Sequence, residues 1–252
     1  MSALLVPQSA PLLLTPRPFS PARVSGLLLW LVADRIMGLV DGDPVSTWAD
    51  ASGQGNNATQ STTAAKPLWK VNIAGGRPVV RFDGVDDYLT VANAANFDLA
   101  TPTIFVVGVA SAGTGTFTGK LTFAGGVGDA NRRKLDVRRA SSTTFSFQSG
   151  ADSMFKASGT LSWSGFNVMS IVARGATDYT LAVNGTAADA TTPTIDLTTY
   201  NTSALIIGAG TSGAEFLTGD IAEVVIYNRA LSAAERKQVE RYLGARYGVA
   251  IS

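Results

Sequence analysis

The chemistry open to this chain is narrowed first by what it lacks, since its 252 residues include no histidine and no cysteine. Without histidine the usual general base and transition-metal ligand are gone, and without cysteine so are thiol nucleophiles, disulfides and zinc-thiolate sites. Ser-His-Asp and Cys-His centres are excluded within one chain. What remains is a set of carboxylates and amides in three places: Asp50 with Asn56 and Asn57, Asp83 with Asp86 and Asp87, and Asp220 with Glu223. Hard oxygen ligands of this kind suit calcium. Asp50, Asn56 and Glu223 are the candidate calcium ligands if the fold brings those strand ends together. The plainer alternative is that Asp50, Ser52, Asn56 and Asp83 satisfy their own turns. Glutamate is scarce (Glu215, Glu223, Glu235 and Glu240), so a glycosidase would depend mainly on aspartates. No enzyme is expected.

Two other constellations are worth weighing. Trp69, Trp163 and Phe166 lie in or beside polar segments, where an exposed aromatic with Asp or Asn neighbours forms a sugar platform; Trp69 and Trp163 are the carbohydrate candidates, and Trp30 and Trp48 read as core. Arg132 to Arg139 is strongly basic, but Leu135 and Val137 alternate with Lys134, Asp136 and Arg138, which is the pattern of one strand with a solvated or subunit-facing side. With 20 Lys+Arg against 19 Asp+Glu the net charge is +1, so no global field draws the chain to nucleic acid or an acidic membrane.

The elements that must position these residues are mostly strands. Leu27 to Val32 and Thr103 to Ala110 are short apolar runs of doubly buried strands, whereas Leu121 to Phe123, Lys134 to Arg138 and Thr144 to Gln148 alternate as strands with one wet face. Val168 to Val172, Tyr179 to Val183 and Ala204 to Ile207 follow, and Asn184-Gly185 marks a type I′ hairpin turn. From Ile221 to Tyr227 the pattern is again a strand. Beyond Ser232 the period changes: Val239, Tyr242, Leu243 and Tyr247 share one helix face, Ser232 and Glu235 form a capping box, and Gly248 supplies the stop. One helix over about 232–247 and some eleven or twelve strands predict an all-β, two-sheet antiparallel sandwich spanning 26–252, since parallel strands would need helical crossovers that are missing.

Residues 1–25 stand apart. Pro7, Pro11, Pro16, Pro18 and Pro21 are half of the ten prolines and alternate with Leu4-Leu5-Val6 and Leu12-Leu13-Leu14. That spacing breaks a helix and predicts an extended arm. With no basic region before Arg17 and an apolar stretch cut by prolines, it does not read as a secretory signal. Its apolar residues Leu4, Leu5, Val6, Leu12, Leu13, Leu14 and Phe19 are the expected partner-binding set.

Four segments taken in order, Trp48 to Asn57, Arg81-Phe-Asp-Gly-Val-Asp-Asp-Tyr-Leu89, Tyr179 to Gly185 and Gly219 to Leu243, resemble the concanavalin A-like, laminin-G-like jelly-roll domains. The resemblance spans about Gly26 to Ile251. It implies a curved antiparallel sandwich that binds sugars or proteins, often with a structural calcium, as found in bacteriophage virion proteins and bacterial surface proteins. Relatives that hydrolyse glucans carry a Glu-x-Asp-x-(x)-Glu strand, and Glu223 here is followed by Val224-Val-Ile-Tyr227 with no second acid. A fold of extracellular habit on a chain that opens without a signal leads to the expectation of a non-enzymatic bacteriophage virion protein. It would be a capsid decoration, head-fibre or tail-associated subunit, made in the host cytoplasm, homo-oligomeric and held to capsid or tail protein by residues 1–25. The alternative is a carbohydrate-binding module of a bacterial extracellular protein, with a host-surface glycan as ligand.

Overall fold

The computed structural model describes residues 18–92, 97, 99–110, 120–125, 133–139, 144–149, 153–158, 164–175, 178–188, 202–209 and 216–252. In chain order the strands are β1 (Leu27–Val32), β2 (Thr47–Trp48), β3 (Ala58–Thr59), β4 (Leu68–Ala74), β5 (Arg77–Asp83), β6 (Leu89–Val91), β7 (Thr103–Ala110) and β8 (Lys120–Gly125). They continue as β9 (Arg133–Arg139), β10 (Thr144–Ser149), β11 (Ser153–Ser158), β12 (Asn167–Ala173), β13 (Tyr179–Val183), β14 (Thr186–Ala188), β15 (Thr202–Ile207) and β16 (Thr218–Tyr227), before the helix α1 (Ala233–Tyr247). One antiparallel sheet has the order β14-β13-β12-β7-β16-β5-β4, with β1 also paired to β16, and the second runs β11-β10-β9-β8-β15-β6-β3-β2.

β16 is the axis of the first sheet. Along one side it pairs with β7; along the other its first half pairs with β5 and its second half with β1. A strand flanked on both sides and covered on both faces reads as a continuous apolar run, because no position alternates to solvent. The covering layers are separate. Leu29, Leu31, Trp48, Val80, Phe82, Ile104, Ile221, Val224 and Ile226 fill the space between the sheets. Trp30, Val79, Phe105, Val225 and Tyr227 point the other way and meet Val239, Leu243 and Tyr247 of α1. Each such helix side chain contributes about 1.5–3 kcal/mol by burial.

The caps form as the sequence predicts. Ser232 accepts from the Glu235 amide while Glu235 accepts from the Ser232 amide, and Gly248 closes the helix in the left-handed region at φ 70°. At the β13–β14 hairpin Asn184 and Gly185 both take positive φ, and the strands pair from Val183 to Thr186. The described residues form more strands than the eleven or twelve expected, the additional ones being the short β3 and β14 and the longer β4 and β11.

Residues 1–17, including Leu4, Leu5, Val6, Leu12, Leu13 and Leu14, lie outside the described residues, but the stretch expected as an arm ends sooner than Gly26. Ser20 caps a single 3-10 turn over Pro21–Arg23, Tyr227 donates its hydroxyl to Pro21 O at 3.0 Å, and Val24 joins the core beneath the helix. Phe19 packs on Tyr242 of α1, with ring centroids 6.0 Å apart. Phe19, Pro21 and Val24 thus contact the sandwich and its helix, proline at the first position of a short turn being preorganised rather than disruptive.

Candidate ligand-binding site

One recess on the described surface follows from strand register. Leu68 of β4 stands opposite Arg81 of β5, and Arg81 stands opposite Asp220 of β16. Side chains alternate along strands, so these three share the sheet's outer face, while their neighbours Val80, Phe82 and Ile221 enter the inter-sheet core. Beside this row, β5 runs into the loop Asp83 to Asp87, and the two together shape a cavity of about 460 Å³ lined by Leu68, Arg81, Asp83, Asp87, Thr218 and Asp220.

Each group has a defined state. Arg81 grips Asp220 with two prongs, Nε to Oδ1 at 2.7 Å and Nη2 to Oδ2 at 2.9 Å, and this bond raises the guanidinium pKa. Asp87 is only 4% exposed. Burial, with the charges of Asp83 and Asp86 nearby, pushes its carboxyl up to about 6, although it still accepts from the Asp83 amide at 3.0 Å. Asp83 in turn accepts from the Val85 amide at 2.8 Å. Gly84 holds the turn at φ 81°, so close to Thr218 that a Cβ there would fall 1.9 Å from Oγ1. Leu68 is 39% exposed and gives the recess an apolar wall. Carboxylate oxygens of Asp83, Asp86 and Asp87 lie within 4.8 Å of one another, oxygen donors of the type calcium takes, though fewer than the roughly six to eight it requires.

The residues named for calcium are placed for other work. Asp50 Oδ1 accepts from the amides of Trp30 and Ser52, and Oδ2 accepts from the Ser52 hydroxyl and the Asn56 amide. Asn56, fully buried, donates through Nδ2 to Leu28 O at 2.9 Å. Glu223 is sealed under the helix, where Oε1 accepts from Trp30 Nε1 at 2.6 Å and Oε2 from the Tyr247 hydroxyl at 2.8 Å, with Arg246 Nε 3.3 Å away. Burial raises its pKa. These carboxylates brace a turn and a helix end.

Trp69 is not an exposed platform. It pairs with Val80 in register, packs against the inter-sheet core and donates Nε1 to Ala33 O at 2.9 Å. Its neighbour Leu68 is the residue that faces out; the period-2 rule separates the two once one orientation is known. Trp163 lies outside the described residues, and Phe166 packs beneath the helix. Trp30 and Trp48 are buried as expected. The pairing of Arg81 with Asp220, 139 residues apart, carries no local sequence signal.

The sequence matches none of the curated proteins at significance. Among solved structures it is similar to the sialidase of Trypanosoma rangeli in complex with the inhibitor DANA, at 16% identity and a TM-score of 0.63, over 88% of this chain and 34% of that one. It is similar to the binding domain of Paraclostridial Mosquitocidal Protein 1, at 15% identity and a TM-score of 0.60, over 89% of this chain and 53% of that one. It is also similar to the CBM40 of the Ruminococcus gnavus IT-sialidase bound to alpha2,3 sialyllactose, at 13% identity and a TM-score of 0.55, over 64% of this chain and 96% of that one. The chain thus spans about a third of the sialidase it matches. At these identities the likeness is one of fold, in which a lectin-like sandwich recurs. A family model matches residues 82–235, more than half of the chain, and by that match the chain belongs to the concanavalin A-like lectin/glucanases superfamily.

Proposed function

We propose that the domain is a non-catalytic glycan-binding module and that the recess beside Leu68 and the Arg81–Asp220 pair receives the sugar. The observation that carries this reading is the mixed lining of that cavity. An apolar wall at Leu68 faces hydrogen-bonding carboxylates and the Thr218 hydroxyl across about 460 Å³. Sugars present the same combination, C–H faces flanked by hydroxyls, and binding sites are commonly apolar clefts with a few placed polar groups. The superfamily membership and the likeness to a CBM40 support the binding-module alternative read from the sequence; neither bears on the expected virion role.

A glycan array probed with the purified chain, followed by calorimetry on the best ligand, tests this. Saturable binding that Leu68→Glu weakens at least tenfold is the expected result. An array with no saturable ligand would sink the proposal.

A further inference from the structure

We infer that this recess selects uncharged or amino sugars and rejects anionic ones, a statement that rests on the glycan-binding reading and gives it a ligand class. A sugar acid is held most strongly where a cation is available to its carboxylate. Here the cavity lining holds one guanidinium against the three carboxylates of Asp83, Asp87 and Asp220, with Asp86 on the same loop.

The single cation is already committed. Arg81 uses Nε and Nη2 on both oxygens of Asp220, the bidentate arrangement that gives an arginine its strongest carboxylate partner. Asp220 is 6% exposed, so the pair is held from below by a carboxylate that solvent screens little. A ligand carboxylate entering the recess would have to displace Asp220 or face Asp83 and Asp86 unaided. An ammonium or a neutral hydroxyl array would meet the carboxylate acceptors and the Thr218 hydroxyl. Each uncompensated like charge at about 5 Å weakens binding by roughly tenfold. The contrast is with the CBM40 of similar fold that is bound to alpha2,3 sialyllactose.

The test uses the full chain on matched glycan pairs that differ by one terminal sialic acid, together with glucosamine oligomers, read by calorimetry and by amide shifts at Leu68 and Thr218. The expected result is binding of neutral or amino glycans that perturbs those amides, with the sialylated counterpart at least tenfold weaker. Asp220→Asn, which frees Arg81, narrows that ratio at least threefold. Should that variant fail to fold, Asp86→Asn on the loop narrows it instead. Equal or tighter binding of the sialylated partner overturns the inference while the glycan-binding reading stands. Binding that leaves both amides unmoved overturns the placement, and absence of binding to every class overturns both.

Discussion

Trp30 donates its indole N–H to Glu223 Oε1 at 2.6 Å, joining β1 to β16 across 193 residues of chain. The second oxygen accepts from Tyr247 at the end of α1, and Arg246 beside it also binds Asp34, which Arg77 grips from β5. One buried carboxylate therefore ties two strands to the helix that covers them. Glu223→Ala strands the Trp30 indole N–H in an apolar layer, leaves the Tyr247 hydroxyl only the more distant Ala222 carbonyl, and leaves Arg246 with a single acid. The expected loss is about 3 kcal/mol in urea unfolding, against about 1 kcal/mol for Trp30→Phe, which removes one donor and leaves Glu223 its other partners. Equal losses for the two would show that indole packing, not the carboxylate, holds this junction.

Asp87 gives the protein a pH-dependent weakness. Its folded pKa, about 6, lies above the ordinary 3.8, so the folded state holds a proton that the unfolded chain releases between those values. Stability contributed by this group is then complete below about pH 4 and falls as pH rises through 6, by at most about 3 kcal/mol. Asp87→Asn, which mimics the protonated acid, should raise the melting temperature at pH 7.5 and lose that advantage near pH 4. An advantage that does not vary with pH would mean that Asp87 is not the titrating group.

The sheet and the helix were legible because local patterns encode them. A doubly buried strand such as β7 reads as an almost unbroken apolar run, the Asn184-Gly185 pair needs two positive φ angles, and Ser232 with Glu235 caps its own helix. The recess was not legible, because it exists only through register. Leu68, Arg81 and Asp220 come from three strands, and nothing near Leu68 in sequence says that it, rather than Trp69, faces outward. Asp50 and Glu223 look like ligands for the same reason in reverse: a carboxylate that serves a turn and one that waits for a metal are the same residue in a sequence, distinguished only by what donates to them. The one-turn helix at Pro21–Arg23 was hidden by the prolines before it, whose spacing forbids a long helix but permits a single capped turn.

Glu235 works in the opposite sense to Asp87. The Arg229 guanidinium and the Ser232 amide hold its carboxyl down at about 2, so its stabilising contribution is present above about pH 4.5 and disappears as pH falls toward 2. Its side chain remains 32% exposed, so solvent screens the ion pair and the expected effect is that of a cap, about 1 kcal/mol. Glu235→Gln should lose about that much at pH 7 and progressively less as pH falls through 2, and Ser232→Ala should lose a similar amount at both extremes. A Glu235→Gln loss that persists in acid would assign the contribution to hydrogen bonding alone.

Gly84 abuts Thr218 of the recess wall and Gly208 abuts the core ring of Phe82, and their replacement separates backbone strain from contact. Gly84 and Gly208 both have positive φ, at 81° and 95°, a region that costs an ordinary side chain about 1 kcal/mol or more. At Gly84 the added Cβ meets the Thr218 hydroxyl, a group on the cavity wall, whereas at Gly208 it lands 2.3 Å from the ring of Phe82, fixed in the inter-sheet core. Gly84→Ala should therefore cost about 1–2 kcal/mol and disturb ligand binding through Thr218, and Thr218→Ser should not restore it, since Oγ1 remains in place. Thr218→Ala removes that atom and should recover much of the lost stability. Gly208→Ala has no such relief and should cost about 3 kcal/mol or more, because a core ring cannot move without opening its neighbours. If Thr218→Ala leaves the Gly84→Ala loss unchanged in a double-mutant cycle, the φ of the turn, and not its approach to Thr218, is what requires glycine there.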